Sequence, residues 1–302
     1  MLDGWITLAG LIVGFTVGLT GMGGGALMTP ILVLLFGIQP LAAVSSDLVA
    51  SLLMKPVGSA VHLKSGTVNR GIVTWLVAGS VPSAFAGVLI LRWVGTGTEI
   101  QSLVKVALGI ALLVVSTALI IKTIARRNDR APASAPERIA VRRLPTVLVG
   151  VIGGLVVGMT SVGSGSLVIL MLLAVYPRLR LSQLVGTDLV QAVPLVAAAS
   201  LAHLFFGDFQ LSLTASILIG ALPGVYIGAR LSSRAPDHWI RPALIVVLAV
   251  SGLKLLGMNN TVLGIVAALL VFAGIASAVA DTRELKLKRP RDEAAPGAPT
   301  TA

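Results

Sequence analysis

Two aspartates stand in otherwise apolar stretches of this 302-residue chain, where a charged side chain is least expected. They are Asp47 and Asp188, and the other ten of the 12 acidic residues lie outside such stretches. An ionised carboxylate in an apolar span costs several kcal/mol unless it is compensated, so each is a functional candidate. Both lie near a predicted helix start. They either cap the helix through its free amides or bind a proton or a cation, and both interpretations stay open.

Three further titratable side chains lie in the same kind of surroundings. Lys55 is in the middle of an apolar stretch and precedes Pro56, which leaves a backbone carbonyl without its helical donor. A lysine there reaches water only with difficulty, so we expect its partner to be a bound anion or a buried carboxylate such as Asp47. His62 and His203 lie near predicted helix ends, where they are either end anchors or proton relays.

Glycine-rich segments interrupt the apolar sequence twice, at Gly21–Gly25 and at Ser161–Gly165. Glycine lets the backbone approach a ligand closely, and the free amides that begin the next helix attract anions. The alternative is a simple turn, although a turn rarely needs this pattern twice with serines added. We therefore predict a substrate site from both segments and nearby polar side chains. Its residues are Gly23, Gly24, Gly25, Ser45, Ser46, Lys55, Ser161, Gly163, Ser164, Gly165 and Thr187.

The composition is that of a membrane protein. Hydrophobic residues make up 56% of the chain and charged residues 12%, whereas a soluble domain carries about 25% charged residues. The mean hydropathy is +0.97. Apolar stretches of bilayer-spanning length, about 20 residues, recur from end to end. The N-terminus has no basic region before its first apolar stretch, so we expect that stretch to be retained as a span.

Two copies of one unit follow each other along the chain. The first opens with glycines at 10, 14 and 18 and the second with glycines at 150, 154 and 158, a spacing typical of close helix packing. Ser46-Asp47 recurs as Thr187-Asp188, and His62 recurs as His203. Each copy contains about five helical elements, some short or broken, and an odd number makes the copies cross the membrane in opposite directions. The predicted fold is an all-α polytopic membrane protein with two inverted-topology repeats.

This pattern divides the chain into five parts. Between the repeats lies a basic, proline-containing linker, and a last helix follows the second repeat. The tail is charged and rich in proline and alanine, so we expect it to be disordered. The parts are residues 4–123 (first repeat), 124–143 (cytoplasmic linker), 144–257 (second repeat), 260–280 (extra transmembrane helix) and 281–302 (cytoplasmic tail).

The basic residues predict the orientation in the cell membrane. With the linker in the cytoplasm and alternating spans on either side, most of the 23 Lys and Arg fall inside, while Arg92, Lys105 and Lys254 fall outside. The N-terminus is then outside and the C-terminus cytoplasmic. This asymmetry also explains the net charge of +11, so nucleic acid is not an expected partner. The expected partners are the lipid bilayer and a small anion, and the sequence is compatible with a homo-oligomer.

Enzyme signatures are not found in the sequence. The glycine segments lack the Lys-Ser/Thr pair of a phosphate-binding loop, and no metal-binding His or Cys spacing occurs in a chain with no cysteine. We therefore expect neither catalysis nor a cofactor nor a metal site.

At these residues the chain resembles the sulfite exporter TauE/SafE family of membrane transporters. The resemblance rests on Gly21–Gly25 with Pro30 after it, on the helix from Ser46-Asp47 to His62, and on their second-half counterparts. A helix with Gly79, Pro82 and Gly87 belongs to the same pattern, which covers roughly residues 5–278. The resemblance implies an inner-membrane carrier of small anions, often sulfur-containing, such as sulfite or sulfonates.

Together these observations predict a secondary transporter of a small anion, a sulfur oxyanion or an organosulfonate. The anion would lie near the membrane midplane between the glycine segments. Proton coupling would use Asp47 and Asp188, with His62 and His203 as further candidates. An anion channel and a non-transporting membrane scaffold are the alternatives.

The predicted orientation is tested with reporter fusions. A reporter joined after Arg130, in the linker, should be active in the cytoplasm, and one joined after Ser212 should be active outside. The reason is the bias of basic residues toward the cytoplasmic side. Activity of both fusions on one side would contradict the orientation.

Overall fold

Helices account for the regular structure of the described residues. The computed structural model describes residues 3–20, 24–64, 66–95, 97–128, 140–177, 179, 181–231 and 237–274. Gly23, most of the linker and the tail from residue 281 lie outside them. In chain order the helices are α1 (Gly4–Thr20), α2 (Gly25–Leu34), α3 (Pro40–Lys64), α4 (Arg70–Val94), α5 (Thr98–Asn128), α6 (Arg143–Thr160), α7 (Leu167–Val175), α8 (Leu181–Phe206), α9 (Leu211–Leu231), α10 (Asp237–Leu255) and α11 (Asn260–Gly274).

The helix lengths confirm the prediction of a polytopic membrane protein. Five helices, α4, α5, α6, α8 and α9, are long and apolar enough to cross a bilayer. The helices that follow the glycine segments are much shorter, with 10 residues in α2 and nine in α7. At about 1.5 Å per residue they cover roughly half of a hydrocarbon core that is about 30 Å thick. Each is a half-length helix that begins inside the protein.

The directions of the central helices confirm the inverted repeats. Helices α3 and α8, which are counterparts in the two repeats, lie side by side. Ser45 near the start of α3 contacts His203 near the end of α8, at 2.8 Å. Ser59 near the end of α3 donates to the carbonyl of Leu189 near the start of α8, also at 2.8 Å. The two counterparts therefore run antiparallel, as inverted repeats require.

Two further helix pairs each combine one helix from each repeat. Helix α1 packs along α9, and α6 packs along α4. In the first pair Gly14 lies against the backbone of Ala221, and Gly224 lies against the backbone of Leu11. In the second pair the glycines at 150, 154 and 158 lie against the backbone of α4 in the same way. In both pairs the residue numbers of the contacting residues increase in the same direction along the two helices, so the paired helices are parallel. The glycine spacing thus serves close helix packing, as predicted.

The surface and the interior have the polarity expected in lipid. Large apolar side chains cover the outside, such as Trp93 at 94% and Phe205 at 76% exposed. Polar side chains are buried between the helices instead, among them both aspartates and Lys55. The interior of the helix bundle is therefore where polar chemistry can take place.

Replacing Gly14 by Ala should lower the thermal stability of the detergent-purified protein. A Cβ there would overlap the backbone of Ala221, and overpacking costs about 1–3 kcal/mol. Gly264→Ala is the matched control, because no atom lies within 4 Å of a Cβ at that position. There the gain in helix propensity, about 1 kcal/mol, should act alone. Equal melting temperatures for the two variants would contradict the packing of α1 on α9.

Candidate functional site

Asp47 joins three elements at the centre of the bundle. It lies about two turns into α3 and is 2% exposed. Its Oδ2 atom accepts a hydrogen bond from Thr29 Oγ1 of α2 at 2.9 Å. The same oxygen accepts a second bond from Ser161 Oγ, directly after α6, at 2.7 Å. The carboxylate is therefore held by hydroxyl groups from both repeats.

Ser161 is held in an unusual backbone conformation. It ends α6 with φ of 60°, and it is the non-glycine residue with positive φ in the described part of the chain. The left-handed conformation costs an L-residue roughly 1–2 kcal/mol. Gly163 and Gly165 follow with φ of 123° and 97°, values that favour glycine. The second glycine segment is thus a strained turn that directs the Ser161 hydroxyl to Asp47.

The two glycine segments meet at Gly25. A Cβ on Gly25 would overlap the carbonyl group of Ser161, so the first turn of α2 packs directly on the second segment. The neighbouring Gly24 has more room, because a Cβ there would only touch Met54 and Val17 at 3.8 Å. The structure therefore brings the predicted glycine segments together, and Gly25 is the residue that the contact requires.

Lys55 reaches the second segment from the opposite repeat. Its Nζ donates to Ser164 Oγ at 2.6 Å, and the side chain is 9% exposed. The ammonium group also interacts electrostatically with the buried carboxylates of Asp188 and Asp47. The hydrogen bond of Lys55 is thus to a hydroxyl group, and both compensation by a buried carboxylate and contact with a substrate anion stay predictions.

Asp188 has a different set of partners from Asp47. Its Oδ1 atom accepts from Gln191 Nε2 at 2.9 Å, and Gln191 Oε1 accepts from Ser80 Oγ of α4 at 3.1 Å. Sequence reasoning missed Gln191, Ser80 and Thr29. Gln191 follows Asp188 by three residues, on the same face of a helix, and that spacing could have revealed it.

The other predicted hydroxyls hold helix ends. Ser46 Oγ accepts from the backbone N–H of Gln210, just before α9, at 3.3 Å. At the equivalent place in the other repeat, Thr187 Oγ1 accepts from the N–H of Asn69 at 3.1 Å. Ser45 contacts His203. These three residues anchor connections between helices and do not bond to Asp47, Lys55 or Asp188 among the described contacts.

The histidines lie at opposite ends of the α3–α8 pair. His203 is fully buried, and its Nε2 must donate, because the partner at 2.8 Å is the carbonyl oxygen of Gly158. Its Nδ1 contacts Ser45, so the ring links α3, α6 and α8. His62 is half-buried and contacts Thr67 Oγ1 at 2.9 Å. The structure separates both rings from the central aspartates, and their role in proton coupling stays a prediction.

The central polar cluster combines one cation, two carboxylates and several hydroxyl groups. It consists of Thr29, Asp47, Lys55, Ser161, Ser164, Asp188 and Gln191. An ammonium group and hydroxyls can hold an oxyanion, and carboxylates can bind protons. The cluster is buried and joins the two repeats, and the interface of the repeats is where a transporter of this architecture would be expected to bind its substrate.

Comparison with known proteins identifies the family. Residues 6–255 match the profile of the family described as sulfite exporter TauE/SafE, a span that includes the whole central cluster. The chain belongs to this family. The expectation from the sequence motifs is therefore confirmed, and this TauE/SafE member is a multi-pass membrane transporter.

The relatives of this TauE/SafE protein carry transporter names. "Probable membrane transporter protein YjnA" of Bacillus subtilis (strain 168) is 39% identical over 252 residues, which cover 83% of this chain and 98% of the relative. "Probable membrane transporter protein YdhB" of the same organism is 23% identical over 251 residues, 83% of this chain and 99% of the relative. No solved structure matches the chain significantly.

The contact between the glycine segments predicts that substitutions of the neighbouring Gly24 and Gly25 have different effects on transport activity. Gly25→Ala should abolish transport by the TauE/SafE protein, because its Cβ would push the second segment away from Asp47. Gly24→Ala is the matched control and should retain most of the activity, since its Cβ only makes van der Waals contacts. Anion uptake by proteoliposomes with equal protein content measures both. Equal activities would contradict a tight junction at Gly25.

Proposed function

We propose that this protein is a secondary transporter of a small sulfur oxyanion or organosulfonate, with the central polar cluster as its binding site. The observation that carries the proposal is the Lys55 ammonium, buried between the repeats and bonded to Ser164. A cation in that position costs several kcal/mol and marks a functional site by default. An oxyanion would replace Ser164 as the partner of Nζ. The family assignment favours sulfur as its central atom.

The surrounding groups fit an oxyanion with several acceptor oxygens. Ser161 and Ser164 supply hydroxyl donors beside Lys55, and the half-length helix α2 begins at Gly25 against the same segment. Free amides at a helix start attract negative charge. Hydroxyls, amides and the ammonium together can donate to more than one oxygen of the anion, which suits a sulfite or sulfonate group.

The charges of the cluster favour coupling to protons. Lys55 stands against two carboxylates, Asp47 and Asp188, so an arriving anion adds to an existing excess of negative charge. In a region of low dielectric constant this repulsion is strong. A proton that binds to one carboxylate removes this repulsion. The anion and the proton are therefore carried together, down the proton gradient across the cell membrane. The protein lies in that membrane with its N-terminus outside and its C-terminus in the cytoplasm, as the basic residues indicate.

Lys55→Met should lower anion affinity and counterflow by about 10–100-fold in proteoliposomes. The methionine keeps the length of the side chain and removes the charge, and a hydrogen bond to a charged group contributes about 1.5–3 kcal/mol. Lys105→Met is the matched control, because Lys105 is an exposed lysine of α5 away from the cluster.

Counterflow also separates the proposal from its alternatives. A carrier preloaded with unlabelled sulfite should accumulate labelled sulfite transiently and saturably. An anion channel would instead give single-channel currents, and a scaffold would give neither signal. Wild-type counterflow in Lys55→Met would contradict the assignment of the site, and single-channel currents would contradict the carrier.

A further inference from the structure

Three arginines stand at the beginning of two neighbouring helices, at one end of the bundle. Arg70 is the first residue of α4, and Arg142 and Arg143 begin α6. The two helix starts are in contact, because a Cβ on Gly71 would lie 3.0 Å from the side chain of Val141. All three arginines are exposed, and no carboxylate of the described residues pairs with them. This end of the α4–α6 pair therefore carries three positive charges without a counter-charge in the described part of the chain.

An aromatic ring holds one of these arginines in place. The Cζ atom of Arg143 lies 5.3 Å from the centroid of the Trp75 ring of α4. A guanidinium group that stacks on a ring through its face keeps the N–H donors at its edge for another partner. Tryptophan also favours the level of the lipid head groups in a membrane protein. We call Arg70, Trp75, Arg142 and Arg143 the arginine surface.

The equivalent place in the other parallel helix pair, α1–α9, has an acid instead. In the alignment of the repeats Asp3 corresponds to Arg143 and Ser216 to Trp75. These two residues are also in contact, since the backbone N–H of Asp3 donates to Ser216 Oγ at 3.0 Å. The Asp3 carboxylate accepts from two backbone N–H groups at the start of α1, where negative charge is favourable. An arginine at a helix start is unfavourable for the same reason, so an external anion would do for α6 what Asp3 does for α1.

Beside the arginine surface, the lipid-facing side of α6 is apolar. Leu144, Leu148 and Ile152 are spaced four residues apart and are 71%, 52% and 50% exposed. Side chains at this spacing lie above one another on one face of a helix. They form an apolar stripe that begins next to Arg143. An acyl chain can lie along this stripe while its head group reaches the arginines.

We propose that the arginine surface binds the head group of an anionic phospholipid. Guanidinium groups donate to phosphate oxygens in pairs, which gives such contacts both strength and orientation. A zwitterionic phospholipid also has a phosphate, but the arginines repel its ammonium group. In the proposed orientation the bound lipid belongs to the cytoplasmic leaflet, where anionic lipids attract basic segments. This inference requires only that the chain lies in a membrane and is independent of the transported anion.

The test measures the fluorescence of Trp75 in the full-length protein. The other three of the four tryptophans are replaced by phenylalanine, and the protein is reconstituted in phosphatidylcholine vesicles. Bromine atoms on an acyl chain quench a tryptophan that the chain contacts. Half-maximal quenching should require an about fivefold lower fraction of brominated phosphatidylglycerol than of brominated phosphatidylcholine, the factor expected from one arginine at the membrane surface.

Two arginine variants locate the preference on the protein. Arg143→Gln should bring the two quenching curves together, because it removes the charge beside Trp75. Arg92→Gln is the matched control, since Arg92 is exposed in the last turn of the same helix α4, at the opposite end. It should keep the full preference. Each comparison is made between two lipids on one variant, so a change in the intrinsic fluorescence of Trp75 does not affect it.

The measurement can overturn the proposal in several ways. Equal curves for both lipids on the protein with all its arginines would exclude a selective site. A full preference in Arg143→Gln would place the lipid elsewhere, and an equal loss in Arg92→Gln would indicate a general effect of charge. Millimolar inorganic phosphate should leave the curves unchanged. If it abolishes the preference for phosphatidylglycerol, the occupant is free phosphate and the lipid assignment is wrong.

Discussion

Close packing of helix backbones across the two repeats is the contact on which the rest of the structure depends. Helix α1 lies along α9 and α6 lies along α4, and glycines remove the side chains that would hold these helices apart. Each pair takes one helix from each repeat. The exchange leaves α3 and α8 side by side at the centre, with the half-length helices α2 and α7 packed on them.

The central polar cluster follows from this arrangement. Asp47 and Lys55 both belong to α3, yet they bond to Ser161 and Ser164 of the second repeat. Any movement of one repeat against the other must break these bonds or form them again. Hydrogen bonds to charged groups contribute about 1.5–3 kcal/mol each. A few of them are comparable to the few kcal/mol that separate two conformations of a protein, so a bound anion can change the balance between conformations.

Hydropathy and the internal repeat predicted about five helical elements in each repeat and one more after them, which correspond to α1–α5, α6–α10 and α11 of the described residues. Such a prediction is possible because a chain in lipid must pair its backbone groups within each helix. Hydropathy and the repeat did not predict which helices pair. The spacing of Gly10 and Gly14 indicates a close neighbour but does not say that the neighbour is α9. Pairing depends on residues more than 200 positions apart, such as Gly14 and Ala221, and no local pattern contains that information.

The sequence predicted the site residues best where a charged residue or a glycine stands in an apolar helix. Aspartate, lysine and repeated glycines are conspicuous in apolar helices, and the structure brings several of them together. Thr29 was missed because a hydroxyl in a helix usually bonds its own backbone, as Thr16 does to the carbonyl of Ile12 at 2.9 Å. Ser46 is one of the predicted site residues because it is a hydroxyl expected near the glycine segments. Successive helical residues point about 100° apart, however, and its hydroxyl faces α9.

The pairing of helices between the two repeats is the arrangement that an antiparallel homodimer of half-length chains would have. A separate half-length chain would present bare glycine faces and would have to insert in both orientations, assembling as an antiparallel homodimer. The paired contacts of Asn69 with Thr187 and of Gln210 with Ser46 have the same two-fold symmetry. Lys55 breaks it, since Val196 stands at the equivalent position. A homodimer would carry two lysines where its central helices cross, or none. A single positive charge there requires two halves of different sequence, which this one chain supplies.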